Sequence, residues 1–219
     1  MERALEVLAV SGGRISRVLV AADCEELAGV ARDAGAEAVL TDPGHRSGTD
    51  RIAEAAATLP EEAVINLQAD EPEIPAAAVL KLADLILSER NEMMATLATP
   101  LLEEADVKNP NIVKVVIDSG GHAMYFSRAP VPYAREGWAE DGSTTLALRH
   151  LGIYAYRRRF LLDYSSLPAS RLEETEKLEQ LRALEAGYRI ACAVVDPLPD
   201  GIDTPKSYAA FVERWKARR

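Results

Sequence analysis

The run Ala63-Val64-Ile65-Asn66-Leu67-Gln68-Ala69-Asp70-Glu71-Pro72 decides how the rest of the chain is read. Its first five residues are mostly apolar and of strand length, and the polarity changes abruptly after Leu67. Open α/β sheets place their chemistry just beyond the carboxyl ends of buried strands, which makes Asp70 a candidate functional carboxylate. A turn pinned by Pro72 accounts for the same residues structurally, and position alone leaves both readings open.

Working outward, short apolar runs alternate with helical periodicity. Residues 3–10 read as a helix stopped by Ser11-Gly12-Gly13, 17–21 as a strand, 25–33 as a helix and 38–40 as a strand. Residues 48–58 read as a helix leading to the strand at 63–67. Pro75 suits the first position of a helix over 75–89, with Ala76, Val79, Leu80, Ala83, Ile86 and Leu87 as its apolar stripe. The second half is richer in strands, at 94–99, 112–118, 123–126 and 148–156. A helix at 173–185, a strand at 189–195 and a closing helix at 205–216 follow. Alternating βα units predict one mixed α/β domain over 1–219, mostly parallel, with an antiparallel β-rich part near 110–157. Residues 130–145, rich in Gly, Pro and charge, read as a surface excursion.

Lys plus Arg number 25 and Asp plus Glu 35, for a net charge of 25 − 35 = −10. That balance argues against nucleic acid or an anionic membrane as partner, while leaving room for a small anion in a cleft of focused arginines. Cys24 and Cys192 sit in apolar segments without metal-ligand spacing, which predicts buried, reduced thiols in a cytoplasmic protein. No secretion signal and no apolar run of membrane-spanning length is present.

Other segments carry chemistry-bearing side chains, each with a plain structural reading beside it. Asp203 in GIDTP (201–205) is a second strand-end carboxylate, or else a helix cap before Pro205. In HRSGTDR (45–51), Ser47 and Thr49 either cap a helix or join Gly48 in receiving an anion at its N-terminus. Alternation in RHLGIYAYRR (149–158) projects His150 and Tyr154 from one face and Leu151, Ile153 and Ala155 from the other. In EKLEQLR (176–182), Glu179 and Arg182 could equally be a surface ion pair of little energetic weight.

HRSGTDR, NLQADEP, NPNIVKVV, YFSRAPVP, RHLGIYAY, EKLEQLR and GIDTP occur in this order. Together they resemble the CMP-Kdo synthetases, the 3-deoxy-manno-octulosonate (Kdo) cytidylyltransferases of lipopolysaccharide synthesis, from about residue 45 onward. The resemblance implies a nucleotide-diphospho-sugar transferase fold, usually homodimeric, and a Mg2+-dependent condensation of CTP with Kdo that gives CMP-Kdo and diphosphate. It implies Asp70 and Asp203 as metal ligands, and Ser47, Gly48 and Arg51 as the loop near the nucleotide. Gln68, Arg135, His150, Tyr154, Glu179, Gln180 and Arg182 are implied as the sugar-acid pocket, with Arg182, Arg135 and His150 as cations for the substrate's carboxylate.

The chain departs from the pattern at its start. The family's first strand and its PARxxSxRxPxKP loop have no counterpart, and MERALEVL matches the helix that follows them. The resemblance implies a longer authentic protein, weak or no activity for this chain as it stands, and strands 17–21 and 63–67 lacking a partner. The same departure keeps open a non-catalytic, sugar-acid-binding or dimerising relative. Other sugar acids, 8-amino-Kdo or a sialic acid, stay open as substrates.

Overall fold

Strand β7 (Leu148–Arg157) organises the molecule, because ten alternating residues give it two long hydrogen-bonding edges and two buried faces. The computed structural model describes residues 1–45, 47–88, 92–135, 137, 147–199, 201–202 and 204–217. One edge of β7 runs antiparallel along β4 (Met94–Pro100), from Met94 opposite Tyr156 to Pro100 opposite Leu148. The other edge is shared. β3 (Ala63–Leu67) takes Ile153 to Arg157, and β5 (Lys114–Ile117) takes Leu148 and Arg149. β6 (Ala123–Ser127) adds antiparallel to β5, and β8 (Ile190–Val194) adds parallel to β4.

Four strands, β3, β4, β5 and β8, therefore point one way, while β6 and β7 oppose them. This is the expected mixed sheet, with a difference in its neighbours. Because β7 slots between strands of the opposite direction, four of the five pairs described in this sheet are antiparallel. The sheet also curls: Cys192 N–H donates to Gly121 O at 2.8 Å, and His122 bridges Ala191.

The alternation in β7 divides two apolar layers as predicted. Leu151, Ile153 and Ala155 pack with α4 (Ala76–Ile86) and with Val7 of α1 (Glu2–Val10). On the opposite face Tyr154 and Tyr156 join Ala53 and Ala56 of α3 (Gly48–Ala56), Phe160 and Tyr164 of α6 (Arg158–Tyr164), and Leu181 of α8 (Gln180–Glu185). The stripe of α4 is rotated from the expected one. Ala78 and Leu82 are buried and Leu87, at the C-cap, is exposed, while Pro75 is the extended N-cap rather than the first helical residue. Full burial of a leucine such as Leu82 contributes about 2 kcal/mol.

A second, smaller sheet pairs β1 (Leu19–Ala22) with β2 (Glu37–Leu40) in parallel, joined by α2 (Glu25–Asp33). Among the described residues β1 pairs with β2 alone and β3 with β7 alone, so each has one edge without a ladder, as expected for 17–21 and 63–67. Their starts meet at Glu61, whose Oε1 accepts from Ser16 Oγ at 3.1 Å and lies 3.0 Å from Arg17 Nε.

Three local readings are corrected. The single helix expected at 173–185 is two, α7 (Arg171–Glu176) and α8, separated at Lys177 in the left-handed conformation (φ 57°, ψ 48°). α6 follows β7 without a break, and the short α5 (Glu104–Lys108) precedes β5; neither was expected. Cys24 is exposed and only Cys192 is buried, its thiol pushed up to about 12 by desolvation; both are free. α9 (Pro205–Ala217) closes the chain, and no described helix is long and apolar enough to cross a membrane. Of the excursion at 130–145, residue 136 and residues 138–145 lie outside the described set.

Candidate active site

β3 delivers Asn66 and Leu67 to the sheet and then turns, with Glu71 N–H donating to Gln68 O at 3.3 Å. Gln68 and Asp70 are exposed on this turn. The stretch after β8 returns onto it: Ile202 N–H donates to Asp70 O at 2.7 Å. A Cβ on Gly201 would lie 3.1 Å from Asp70 O and 3.2 Å from the Glu71 carboxyl, so glycine is what lets the two segments touch. Arg149 steadies the approach by donating from Nη2 to Leu198 O (3.0 Å) and Pro199 O (2.7 Å). Arg214 of α9 binds Glu73 through Nε at 2.9 Å and Nη2 at 2.5 Å, which ties the closing helix to the same turn.

Asp203 lies outside the described residues. Thr204 Oγ1 accepts from Ser207 N–H at 3.1 Å and Ser207 Oγ accepts from Thr204 N–H at 3.0 Å, a reciprocal cap on α9.

The second wall comes from β7 and the α7–α8 turn. His150 and Tyr154 project together, ring centroids 5.2 Å apart, with Phe126 edge-on to His150 at 4.9 Å. Thr96 fixes the imidazole. Its Oγ1 is 2.8 Å from Ile153 O and 3.0 Å from His150 Nε2. A hydroxyl has one proton, and the carbonyl can only accept, so Nε2 carries the hydrogen and donates to Thr96. Nδ1 is thus an acceptor. Desolvation holds the His150 pKa near 3, so the ring is neutral and the expected cationic role is corrected. The same burial raises the Tyr154 hydroxyl well above its usual range, keeping it protonated.

Thr49 joins the two polar loops across 130 positions by donating to Glu179 Oε2 at 2.7 Å. Tyr164 Oη donates to Glu179 O at 2.7 Å, and Gln180 is buried. The side chains of Glu179 and Arg182 therefore do not form the surface ion pair. Arg182 is held by Glu173 through Nε at 2.7 Å and Nη2 at 2.6 Å, and its guanidinium lies 5.5 Å from the Tyr164 ring centroid.

Of the two readings of the loop at 45–51, the helix cap is the one observed. Ser47 caps α3, its Oγ accepting from Asp50 N–H at 3.1 Å, while the space above Gly48 is open for 4 Å around. Arg51 donates to Thr41 Oγ1 at 2.8 Å and to Asp42 O at 3.3 Å, and lies 3.8 Å from Asp23, which ties α3 to the ends of β1 and β2. An open cleft of about 490 Å3 lined by His45, Asp50, Glu54 and Ser165 sits outside α3; none of the pocket residues lines it.

A family model described as cytidylyltransferase matches residues 1–190. The 3-deoxy-manno-octulosonate cytidylyltransferase of Syntrophobacter fumaroxidans is 45% identical over 203 residues, covering 91% of this chain and 80% of that protein. That of Xanthomonas euvesicatoria pv. vesicatoria is 47% identical over 194 residues, covering 85% and 72%. The chain belongs to the 3-deoxy-manno-octulosonate cytidylyltransferase family. The fold agrees: the solved CMP:2-keto-3-deoxy-manno-octonic acid synthetase complexed with CTP superposes with a TM-score of 0.89 at 34% identity, over all of this chain and 88% of that one.

Against this family pattern, the structure brings Gln68 and Asp70 onto one turn, His150 and Tyr154 onto one strand face, and Glu179 and Gln180 onto the loop bonded to Thr49. Arg135 is exposed and makes no hydrogen bond to the others among the described residues. Thr49, Thr96 and Glu173, which hold Glu179, His150 and Arg182, escaped sequence reading as pocket residues. Thr49 stood in a quoted motif as a hydroxyl donor, whereas nothing in the local pattern marked Thr96 or Glu173.

Proposed function

We infer that this chain is a Kdo cytidylyltransferase, condensing CTP with 3-deoxy-manno-octulosonate to give CMP-Kdo and diphosphate. The anomeric hydroxyl of the sugar acid attacks the α-phosphorus, the bond from that phosphorus to the diphosphate oxygen breaks, and the hydroxyl proton is released. Family membership gives the reaction, and one observation supports a site at Asp70: Ile202 N–H on Asp70 O at 2.7 Å, which joins the turn after β3 to the GIDTP stretch. Non-catalytic binding and other sugar acids are not favoured by relatives at 45% identity that bear the Kdo name.

The donor chemistry fits a hard cation. Asp70 is an exposed carboxylate at a strand end, and Mg2+ takes only one or two protein carboxylates, with phosphate oxygens and water completing its shell. Among the described residues no group of three metal-ligating side chains exists. Asp70 and Asp203 would hold Mg2+, which supplies charge neutralisation to the triphosphate. The open N-terminal turn of α3 at Ser47 and Gly48 receives the nucleotide. His150 accepts a sugar hydroxyl at Nδ1. Gln68, Tyr154, Glu179 and Gln180 hydrogen-bond the remaining hydroxyls, and Arg135 and Arg182 face the carboxylate. A cytoplasmic homodimer serving lipopolysaccharide synthesis, with the β-rich region near 110–157 at the contact, completes the reading.

The test is diphosphate release from CTP and Kdo, with Mg2+ and with a chelator, alongside product mass. Metal-dependent release and a CMP-Kdo mass are expected. Diphosphate release without Kdo, or no Kdo binding by calorimetry, overturns the reading.

A further inference from the structure

Lys114 is completely buried, and none of its three N–H groups meets a carboxylate. Nζ instead donates to Asn109 O at 2.8 Å, Ile112 O at 2.5 Å and Arg128 O at 2.7 Å, which exhausts its donors. It thereby ties the start of β5 to the residue just past β6. In register Lys114 lies between Ser127 and Arg149, one residue from His150, whose N–H donates to Val113 O at 2.8 Å.

From Arg128 the chain of bonds continues. Arg128 N–H donates to Glu176 Oε2 at 2.9 Å, its Nε to Glu176 O at 2.8 Å and its Nη1 to Pro110 O at 3.0 Å, while Ser127 Oγ donates to Glu176 Oε1 at 2.7 Å. Glu176 is thus held at both carboxylate oxygens and its carbonyl. The next residue is Lys177, in the left-handed region that a residue with a Cβ enters only when surroundings force it. Two and three residues on stand Glu179 and Gln180.

We propose that Lys114, Arg128 and Glu176 are positioning residues that hold the Lys177 turn and so set Glu179 and Gln180 opposite His150 and Tyr154. They touch no substrate; they fix the width of the sugar-acid pocket. The proposal rests on the Kdo reading for the identity of the ligand, while its geometric half stands without it. Burial lowers the Lys114 pKa, with the Arg128 charge adding to the effect and Glu176 opposing it.

Glu176→Gln is the first variant. Its single amide oxygen cannot accept from both Arg128 N–H and Ser127 Oγ–H, so one of these bonds is lost or reversed, yet the side chain keeps its size. In the ligand-free full chain, hydrogen exchange at Leu181 and Arg182 N–H, bonded to Leu178 O and Glu179 O, should quicken at least tenfold. In calorimetry Kdo should bind about tenfold more weakly, with CTP binding within twofold of the parent. Lys177→Gly, added to Glu176→Gln, should restore most of the Kdo affinity, because glycine adopts the turn unaided. Lys114→Met should repeat the Kdo defect, and Glu176→Gln carries the test if that variant does not fold. Unchanged exchange, equal weakening for both ligands, or no rescue by glycine overturns the proposal. A parent chain that exchanges as expected but fails to bind Kdo overturns only the Kdo reading.

Discussion

Acid should weaken this protein through one imidazole. His150 has a pKa near 3 in the folded state against an ordinary 6.5, because burial disfavours its charged form. A depressed folded pKa means that the unfolded chain takes up the proton first. The stability owed to His150 is therefore complete above about pH 6.5 and is lost as pH falls from there toward 3. Each unit in that window is worth about 1.4 kcal/mol, so the loss reaches about 2 kcal/mol at pH 5.0. Carboxylates also titrate there, and comparison with His150→Gln removes them, since both proteins share them. Urea unfolding of the two at pH 7.5, 6.0 and 5.0 makes the measurement. The difference in unfolding free energy should change by about 2 kcal/mol between the extremes, against the histidine protein. Curves parallel to within about 0.5 kcal/mol would mean an imidazole that titrates normally in the native state, and the acceptor role at Nδ1 would fall with it.

Thr96→Val leaves Ile153 O and His150 Nε2 short of a partner in the core, and should cost about 3 kcal/mol and about 10 °C by calorimetry. Thr96→Ser should stay close to the parent, and equal melting of all three would show the hydroxyl to be idle. Thr49→Val removes the donor to Glu179 and should weaken Kdo binding about tenfold in a titration; unchanged binding would remove Glu179 from the pocket. Gly201→Ala pushes a methyl against Asp70 O and the Glu71 carboxyl, and should slow diphosphate release by roughly tenfold or more with little change in melting. A normal rate in that variant would mean that the junction of the two segments is not part of the site.

The alternation of RHLGIYAYRR was legible because both of its faces are buried against different layers, and the pattern reports that directly. Strand directions were less so. Local periodicity cannot reveal that β7 returns from far along the chain to lie between β3 and β4. The break at Lys177 was invisible for a similar reason: no glycine announces it, and the residues that enforce it, Ser127 and Arg128, are about fifty positions away. Motif order supplied the candidate site residues, yet their charge states and partners are tertiary facts. Arg182 and His150 looked like free cations in sequence; Glu173 neutralises one and burial the other.

The edges of β1 and β3 that have no ladder among the described residues carry a consequence in concentrated solution. Both strands are short, mostly apolar and half-buried, and an edge strand offers free N–H and C=O groups for further pairing. Their edges differ from each other, so a β1 edge of one molecule adding to a β3 edge of the next is a heterologous contact, free to repeat where its rotation leaves it open. Such growth climbs steadily with concentration and yields chains of any length, whereas a two-fold pair saturates at two. Light scattering across a dilution series would tell linear polymer from dimer before any oligomeric state is ascribed to function.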